Sequence, residues 1–178
     1  MNKLHKHLIN LTASAVCLAL CIVLPFFTGN IPEIGGMLCP MHIPVLLCGF
    51  LCGPWYAMGI GLIAPLLRYL MFGMPPIFPT GVAMCIELAV YGVVAGLLYR
   101  ILPKKPVNIY ISLILAMILG RVAWGIAMMA IMGIAGDGFT WAAFISGALL
   151  NAIPGIVLHI VLIPLVVMGV KRTKIMQE

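Results

Sequence analysis

The sequence predicts an all-α integral membrane protein, in which six transmembrane helices form one compact bundle and both termini lie in the cytoplasm. Of its 178 residues, 64% are hydrophobic and only 8% are charged, and the apolar residues fall into long runs. Soluble domains carry roughly a quarter charged residues, and a soluble fold of this size cannot bury so much apolar surface. Residues 1–178 are therefore predicted to form a single domain within a lipid bilayer.

Six apolar runs define the predicted helices, at about 8–27, 43–53, 55–72, 80–102, 107–134 and 141–170. A full span needs roughly 20 residues at 1.5 Å rise per residue. The first run resembles a signal peptide, but it is long enough to span and no A-x-A cleavage motif follows it, so we expect it to be retained. The last run is too long for one straight helix, and Pro154 or Pro164 is expected to kink or end it.

The basic residues decide how residues 43–72 are interpreted, either as one long helix or as two helices broken at Gly53-Pro54. With the break, all eight basic residues near span ends share one side, whereas without it six of them move to the other side. Basic residues near span ends prefer the cytoplasm, which favours the six-span topology. The eight residues are Lys3, Lys6, Arg100, Lys104, Lys105, Lys171, Arg172 and Lys174.

This topology also has consequences for function. The Gly- and Pro-rich loops 28–42, 73–79 and 134–140 face outward, where they either close over a ligand or merely connect helices. The net charge of +6 does not indicate nucleic-acid binding, because the basic residues lie at the ends of apolar runs and form no stripe.

Ionisable side chains inside the apolar runs point to a candidate binding site, since such groups are costly to place in a membrane. Arg68, Glu87 and Arg121 are three such residues, and His42 and Asn151 lie at a similar depth. Two guanidinium groups and one carboxylate leave a positive excess, which an anionic substrate would balance. Alternatively, Glu87 bridges one arginine and the other snorkels to the surface. Replacing Arg121 by Ala is expected to weaken binding of a carboxylate ligand and to leave folding largely intact.

Two aromatic residues share helix faces with these charges. Tyr91 lies one turn from Glu87, and Trp124 lies one turn from Arg121. They either form walls of a pocket or pack in the core or against lipid. His159 is expected to be a hydrogen-bonded core residue toward the cytoplasmic side.

The sequence lacks the motifs that are typical of disulfide formation, metal binding, ATP hydrolysis and hydrolytic catalysis. The six cysteines include no C-x-x-C pair and read as reduced core residues. Cys39-Pro-Met-His42 has no further ligands at suitable spacing, so no metal site is predicted. There is no phosphate-binding loop for ATP and no Ser-His-Asp or H-E-x-x-H arrangement. We therefore predict no catalytic residues, no cofactor and no enzymatic activity.

Residues 38–54, together with 63–68 and 72–76, resemble the substrate-binding component of energy-coupling-factor (ECF) transporters. The most specific features are a Pro-rich entry to a short second helix and the turn Gly49-Phe-Leu-Cys-Gly53-Pro54. Members of this family carry an A-x-x-x-A pair on the first helix, which docks onto a transmembrane coupling subunit. Ala15 and Ala19 match that pair, and small residues at this spacing let another helix approach closely.

The resemblance implies a multi-pass protein of the cell membrane that binds a vitamin or related micronutrient from outside. The pocket would be formed by the outer halves of helices 4 to 6, which places Glu87, Arg121 and Asn151 within it and makes the outward loops its lids. The partners would be the coupling subunit and two ATPase subunits. The arginine excess predicts an anionic vitamin, pantothenate first. Riboflavin, niacin, biotin and a queuosine precursor stay open, while the cation thiamine fits less well.

Two other classes of membrane protein compete with this interpretation. A self-sufficient secondary transporter would need a driving-ion site and usually inverted repeats with broken helices, and neither is evident in the sequence. A non-transport assembly or sensor subunit would use the outward loops only to bind a partner.

Overall fold

The computed structural model describes residues 3–28, 37–135, 140, 144–146 and 152–172. Within these ranges the chain is helical and contains no strand, which confirms the all-α prediction. The longer helices are α1 (Lys3–Val23), α2 (His42–Leu51), α3 (Pro54–Phe72), α4 (Val82–Ile101), α5 (Pro106–Ala135) and α6 (Ile153–Arg172). A 3₁₀ helix (Leu24–Thr28) extends α1, and a π-helical turn (Ile77–Gly81) precedes α4.

Five of the described helices are long and apolar enough to cross a membrane, namely α1 and α3 to α6. The protein is therefore a multi-pass membrane protein. Helix α2 has only ten residues and rises about 15 Å, half of the hydrocarbon thickness of a typical bilayer. It does not cross by itself, so the sixth crossing and the cytoplasmic position of both termini stay predictions.

The predicted break at Gly53-Pro54 is present and separates α2 from α3. Gly53 has a φ of 103°, in the region that favours glycine. Pro54 begins α3, where its missing N–H leaves no helical hydrogen bond unmade. The guanidinium of Arg100 lies so close across Gly53 that any Cβ there would clash with it. The end of α4 thus covers the start of α3.

The described helices alternate in direction, and this brings the basic residues to one end of the bundle. Near the start of α1, His7 contacts Tyr56 at the start of α3. The end of α6 lies at the same end, because Lys171 and Lys104 both approach the Tyr99 ring at the end of α4. We call this the basic end and the opposite one the far end. Its described basic residues are Lys3, Lys6, Arg100, Lys104, Lys105, Lys171 and Arg172.

Helix α4 lies at the centre of the bundle and packs closely against its neighbours through small residues. A Cβ on Gly61 of α3 would stand 2.6 Å from the Leu88 backbone, and one on Gly92 would stand 2.6 Å from the Ala57 side chain. Such close approach is typical of helices packed in membranes. It fixes the position of α4, which carries Glu87, against α3.

In the last predicted run, the structure describes helical residues at 144–146 and a long helix in the second part. Helix α6 begins at Ile153, so that Pro154 lies in its first turn, where proline is tolerated, and Pro164 lies inside it. Most of residues 141–151 lie outside the described ranges, as do most of the loops 28–42 and 134–140. Of the three predicted outward loops, 73–79 is described throughout.

Candidate functional site

The candidate site is built around Glu87, which lies on α4 and is 1% exposed. Its Oε1 atom is 3.0 Å from Nη1 of Arg121 on α5. A buried charge is costly unless an opposite charge accompanies it, so the pair explains how both side chains are accommodated in the bundle. The N–H bonds of Arg121 do not align with Oε1 as a hydrogen bond, and no other described residue donates one to that oxygen.

Helix α2 begins at the same point. The Nε2 atom of His42 lies 3.4 Å from Oε1 of Glu87. The His42 ring meets the Tyr91 ring edge-to-face, with their centroids 5.1 Å apart. Its other side faces the ring of His159 on α6, at 6.2 Å and an interplanar angle of 24°. The structure therefore brings side chains from α2, α4, α5 and α6 to one buried polar cluster.

The segment before α2 contributes to this cluster as well. Nη2 of Arg121 donates a hydrogen bond to Sγ of Cys39, at 3.2 Å. Cys39 is buried and has a φ of 47°, an uncommon value for a residue other than glycine. The guanidinium is thus held from two sides, by the Glu87 carboxylate and by the Cys39 thiol.

Aromatic rings lie on both sides of the polar cluster. Tyr91 lies on its basic-end side and packs against Gly120, where a Cβ would stand 3.0 Å from the ring. Trp124 lies one turn beyond Arg121 toward the far end, and its ring stacks on Phe144 with centroids 6.4 Å apart. Aromatic rings thus lie on the basic-end side and on the far-end side of the charged groups of the cluster.

Arg68 is not part of this cluster. Its Nη1 donates a hydrogen bond of 2.9 Å to the Ile22 carbonyl, and its guanidinium carbon lies 5.5 Å and 5.6 Å from the ring centroids of Phe26 and Phe72. It lies about two turns, roughly 10 Å, beyond the level of Glu87 toward the far end. At 4% exposed it does not snorkel to the surface. Arg68 connects the end of α1 to the end of α3.

Several polar atoms of the cluster have no hydrogen-bond partner among the described residues. They include both ring nitrogens of His42, Nε of Arg121 and Nε2 of His159. Buried polar groups normally have a partner, so atoms of this kind mark where a polar ligand would bind. Arginine offers only donors, whereas a histidine ring offers a donor and an acceptor. The cluster can therefore bind groups of both kinds.

The remaining predicted residues are placed as follows. Asn151 lies outside the described residues. Ala15 and Ala19 are exposed on one face of α1, while Cys17 and Cys21 on the same helix are buried. The alanine pair is therefore open to a partner helix. No group of three or more His, Cys, Asp or Glu side chains in the described part of the chain could hold a metal ion.

Sequence reasoning did not include Cys39 or His159 in the site. Both lie beside His42 and Arg121, and His159 adjoins the Cys39 backbone. Their positions depend on how the segment before α2 packs against α5 and α6. The spacing of residues along a single helix gives no information about such packing. The sequence offered one signal, the Cys39-Pro-Met-His42 motif, whose two polar side chains both contact the Glu87–Arg121 pair.

The comparisons with known proteins agree with the resemblance in the sequence. The model of the family described as "ECF transporter, substrate-specific component" matches residues 10–167, which is most of the chain. No curated protein and no solved structure matches it. The match covers most of α1, all of α2 to α5 and most of α6, including every described residue of the polar cluster. The chain therefore belongs to the family of substrate-specific components of ECF transporters.

Proposed function

We propose that this protein is the substrate-binding subunit of an ATP-driven ECF importer in the cell membrane, and that it binds a vitamin or related micronutrient at the Glu87–Arg121 cluster. The observation that carries the proposal is the cluster itself. It is an ion pair between the buried Glu87 and the partly buried Arg121, surrounded by polar atoms that have no hydrogen-bond partner among the described residues, in a chain of a substrate-specific family.

The geometry refines the chemistry expected of the ligand. Because Glu87 is paired with Arg121, this cluster is closer to neutral than the count of two arginines suggests. A ligand carboxylate would accept from Arg121 Nε, and hydroxyl or amide groups would bind Glu87 Oε1 and the two histidines. Pantothenate carries a carboxylate, an amide and hydroxyl groups, and is our first candidate. Riboflavin, niacin, biotin and a queuosine precursor are the alternatives.

The orientation follows from the charges. Basic residues prefer the cytoplasmic side, which places the basic end inside the cell and the far end outside. Glu87 lies on the far-end half of α4, about one and a half turns from its start. The ligand would enter from outside, past the Trp124–Phe144 stack. Docking through Ala15 and Ala19 would connect the subunit to the coupling subunit, and through it to two ATPase subunits.

Calorimetric titration of the full-length protein in detergent tests the choice of ligand. Pantothenate is the probe that carries a carboxylate. Riboflavin is the comparison vitamin, which has no carboxylate. We expect pantothenate to bind at least tenfold more tightly, because a charge-assisted hydrogen bond is worth about 1.5–3 kcal/mol. Equal affinity, or preference for riboflavin, would contradict the assignment of an acidic ligand. Native mass spectrometry of the freshly purified protein would then identify any molecule retained from the cell.

A further inference from the structure

A second organised group of side chains lies at the basic end, about 20 Å along α4 from Glu87. Its centre is Tyr99, which is 4% exposed. The Tyr99 ring packs edge-to-face on Phe50 of α2, with centroids 5.2 Å apart. This contact fixes the orientation of the Tyr99 ring at the boundary between the bundle and the surface.

Two lysines from different parts of the chain converge on this ring. Lys104 comes from the turn after α4, and Lys171 comes from the last turn of α6. Each Nζ atom lies 4.6 Å from the Tyr99 ring centroid, within the range of a cation–π interaction. The two ammonium groups are therefore at most twice that distance apart. An anion bound beside two ammonium groups at this separation would be attracted by both of them.

The Tyr99 hydroxyl adds a hydrogen-bond donor to the same place. It is buried and has no hydrogen-bond partner in the described part of the chain. A buried hydroxyl without a partner costs free energy, and an anionic oxygen would accept its hydrogen. Two cationic groups and a phenol hydroxyl together form a donor set suited to phosphate, whose oxygens can accept from several donors at once.

The residues around this group of side chains suit a bound lipid better than a soluble anion. The residues on either side of the turn that bears Lys104 are apolar and face outward, with Ile101 76% and Val107 64% exposed. Acyl chains can lie against these residues while the head group reaches the lysines. Basic pockets between helix ends at the membrane surface are a recurrent way to bind anionic lipid head groups.

From this geometry we propose that Tyr99, Lys104 and Lys171 form a binding site for the phosphate group of an anionic phospholipid. An acidic segment of a protein partner would also be attracted by the lysines but would not explain the exposed apolar residues beside them. The site is separate from the Glu87–Arg121 cluster and does not depend on the identity of the transported ligand.

Native mass spectrometry of the full-length protein tests this site, with phosphatidylglycerol as the anionic probe and phosphatidylcholine as the control lipid. The test variant is Lys104→Gln/Lys171→Gln. The matched control is Lys6→Gln/Lys105→Gln, which removes the same charge from the basic end. We expect the test variant to bind phosphatidylglycerol roughly 30-fold more weakly, since each lysine near a membrane surface contributes about a fivefold factor. The control should change little, and Tyr99→Phe should weaken binding several-fold while preserving the ring.

Three outcomes would overturn the proposal. The first is an equal loss in the test and control variants, which would mean that net charge alone attracts the lipid. The second is displacement of phosphatidylglycerol by inorganic phosphate, which would identify a site for a free anion. The third is unchanged lipid binding by the test variant together with loss of co-purifying transporter subunits, which would assign the lysines to a protein partner.

Discussion

The carboxylate of Glu87 and the guanidinium of Arg121 lie 3.0 Å apart on adjacent helices, with Glu87 buried and Arg121 partly buried. This pair joins α4 to α5 at the depth where α2 begins. Its presence changes one expectation drawn from the sequence, that Arg121 can be removed with little effect on folding. Without Arg121 the Glu87 carboxylate is left buried with no arginine or lysine beside it among the described residues.

The ion pair predicts a measurable coupling between the two residues. Arg121→Gln and Glu87→Gln should each lower the stability of the detergent-solubilised protein, because each leaves a buried charge unpaired. The double variant removes both charges and should lose less than the sum of the single variants. We expect a coupling free energy of about 1–3 kcal/mol. Thermal unfolding of the four proteins measures it, and strictly additive losses would show that the two groups do not interact.

Phe144 provides a test of the aromatic wall. A Cβ on Gly125 would clash with the Phe144 ring, whereas one on Gly133 of the same helix meets nothing within 4 Å. We expect Gly125→Ala to displace Phe144 from Trp124 and to speed ligand dissociation several-fold. Gly133→Ala should have no such effect. Dissociation of bound pantothenate from the two variants provides the comparison, and equal rates would remove the stack from the site.

The exposed alanines of α1 predict an effect on assembly without an effect on ligand binding. Ala15→Leu/Ala19→Leu should reduce co-purification with the coupling and ATPase subunits at least tenfold, because bulky side chains prevent close helix approach. Ala130→Leu, at an exposed position on α5, is the control. Ligand affinity should stay unchanged in both variants. Transport that persists without any ATPase subunit would instead favour a secondary transporter.

The predicted topology can be tested at the turn between α4 and α5. The native cysteines are all buried, so Lys105→Cys introduces a single accessible thiol. We expect an impermeant maleimide to leave this thiol unmodified in intact cells and to label it in inverted membrane vesicles. Labelling in intact cells would place the basic end outside and would reverse the direction of ligand entry.

Much of the fold could be predicted because each signal is local. Apolar runs show where the helices lie, and the Gly53-Pro54 turn shows where α2 ends, since glycine permits the φ of 103° that this turn requires. The polar cluster was predictable in part for a similar reason. Burying Glu87 requires a partner, and Arg121 is one of the two arginines in the interior of the apolar runs, away from their ends.

What the sequence did not contain was the side-to-side arrangement of the helices. Arg68 and Arg121 both lie inside apolar runs, but Arg68 faces the end of α1, where the Ile22 carbonyl and two aromatic rings hold it. Depth follows from residue count, whereas the choice of neighbouring helix follows from packing. For the same reason Cys39 and His159 entered the site only with the structure.

Comparison of two arginine variants tests the central claim most directly. Arg121→Gln and Arg68→Gln remove the same charge, one inside the proposed site and one outside it. We predict that calorimetry will show pantothenate affinity at least tenfold weaker for Arg121→Gln and within about twofold of the unmodified protein for Arg68→Gln, with both variants folded. Unchanged affinity in Arg121→Gln, or the larger loss in Arg68→Gln, would contradict the assignment of the Glu87–Arg121 cluster as the substrate site.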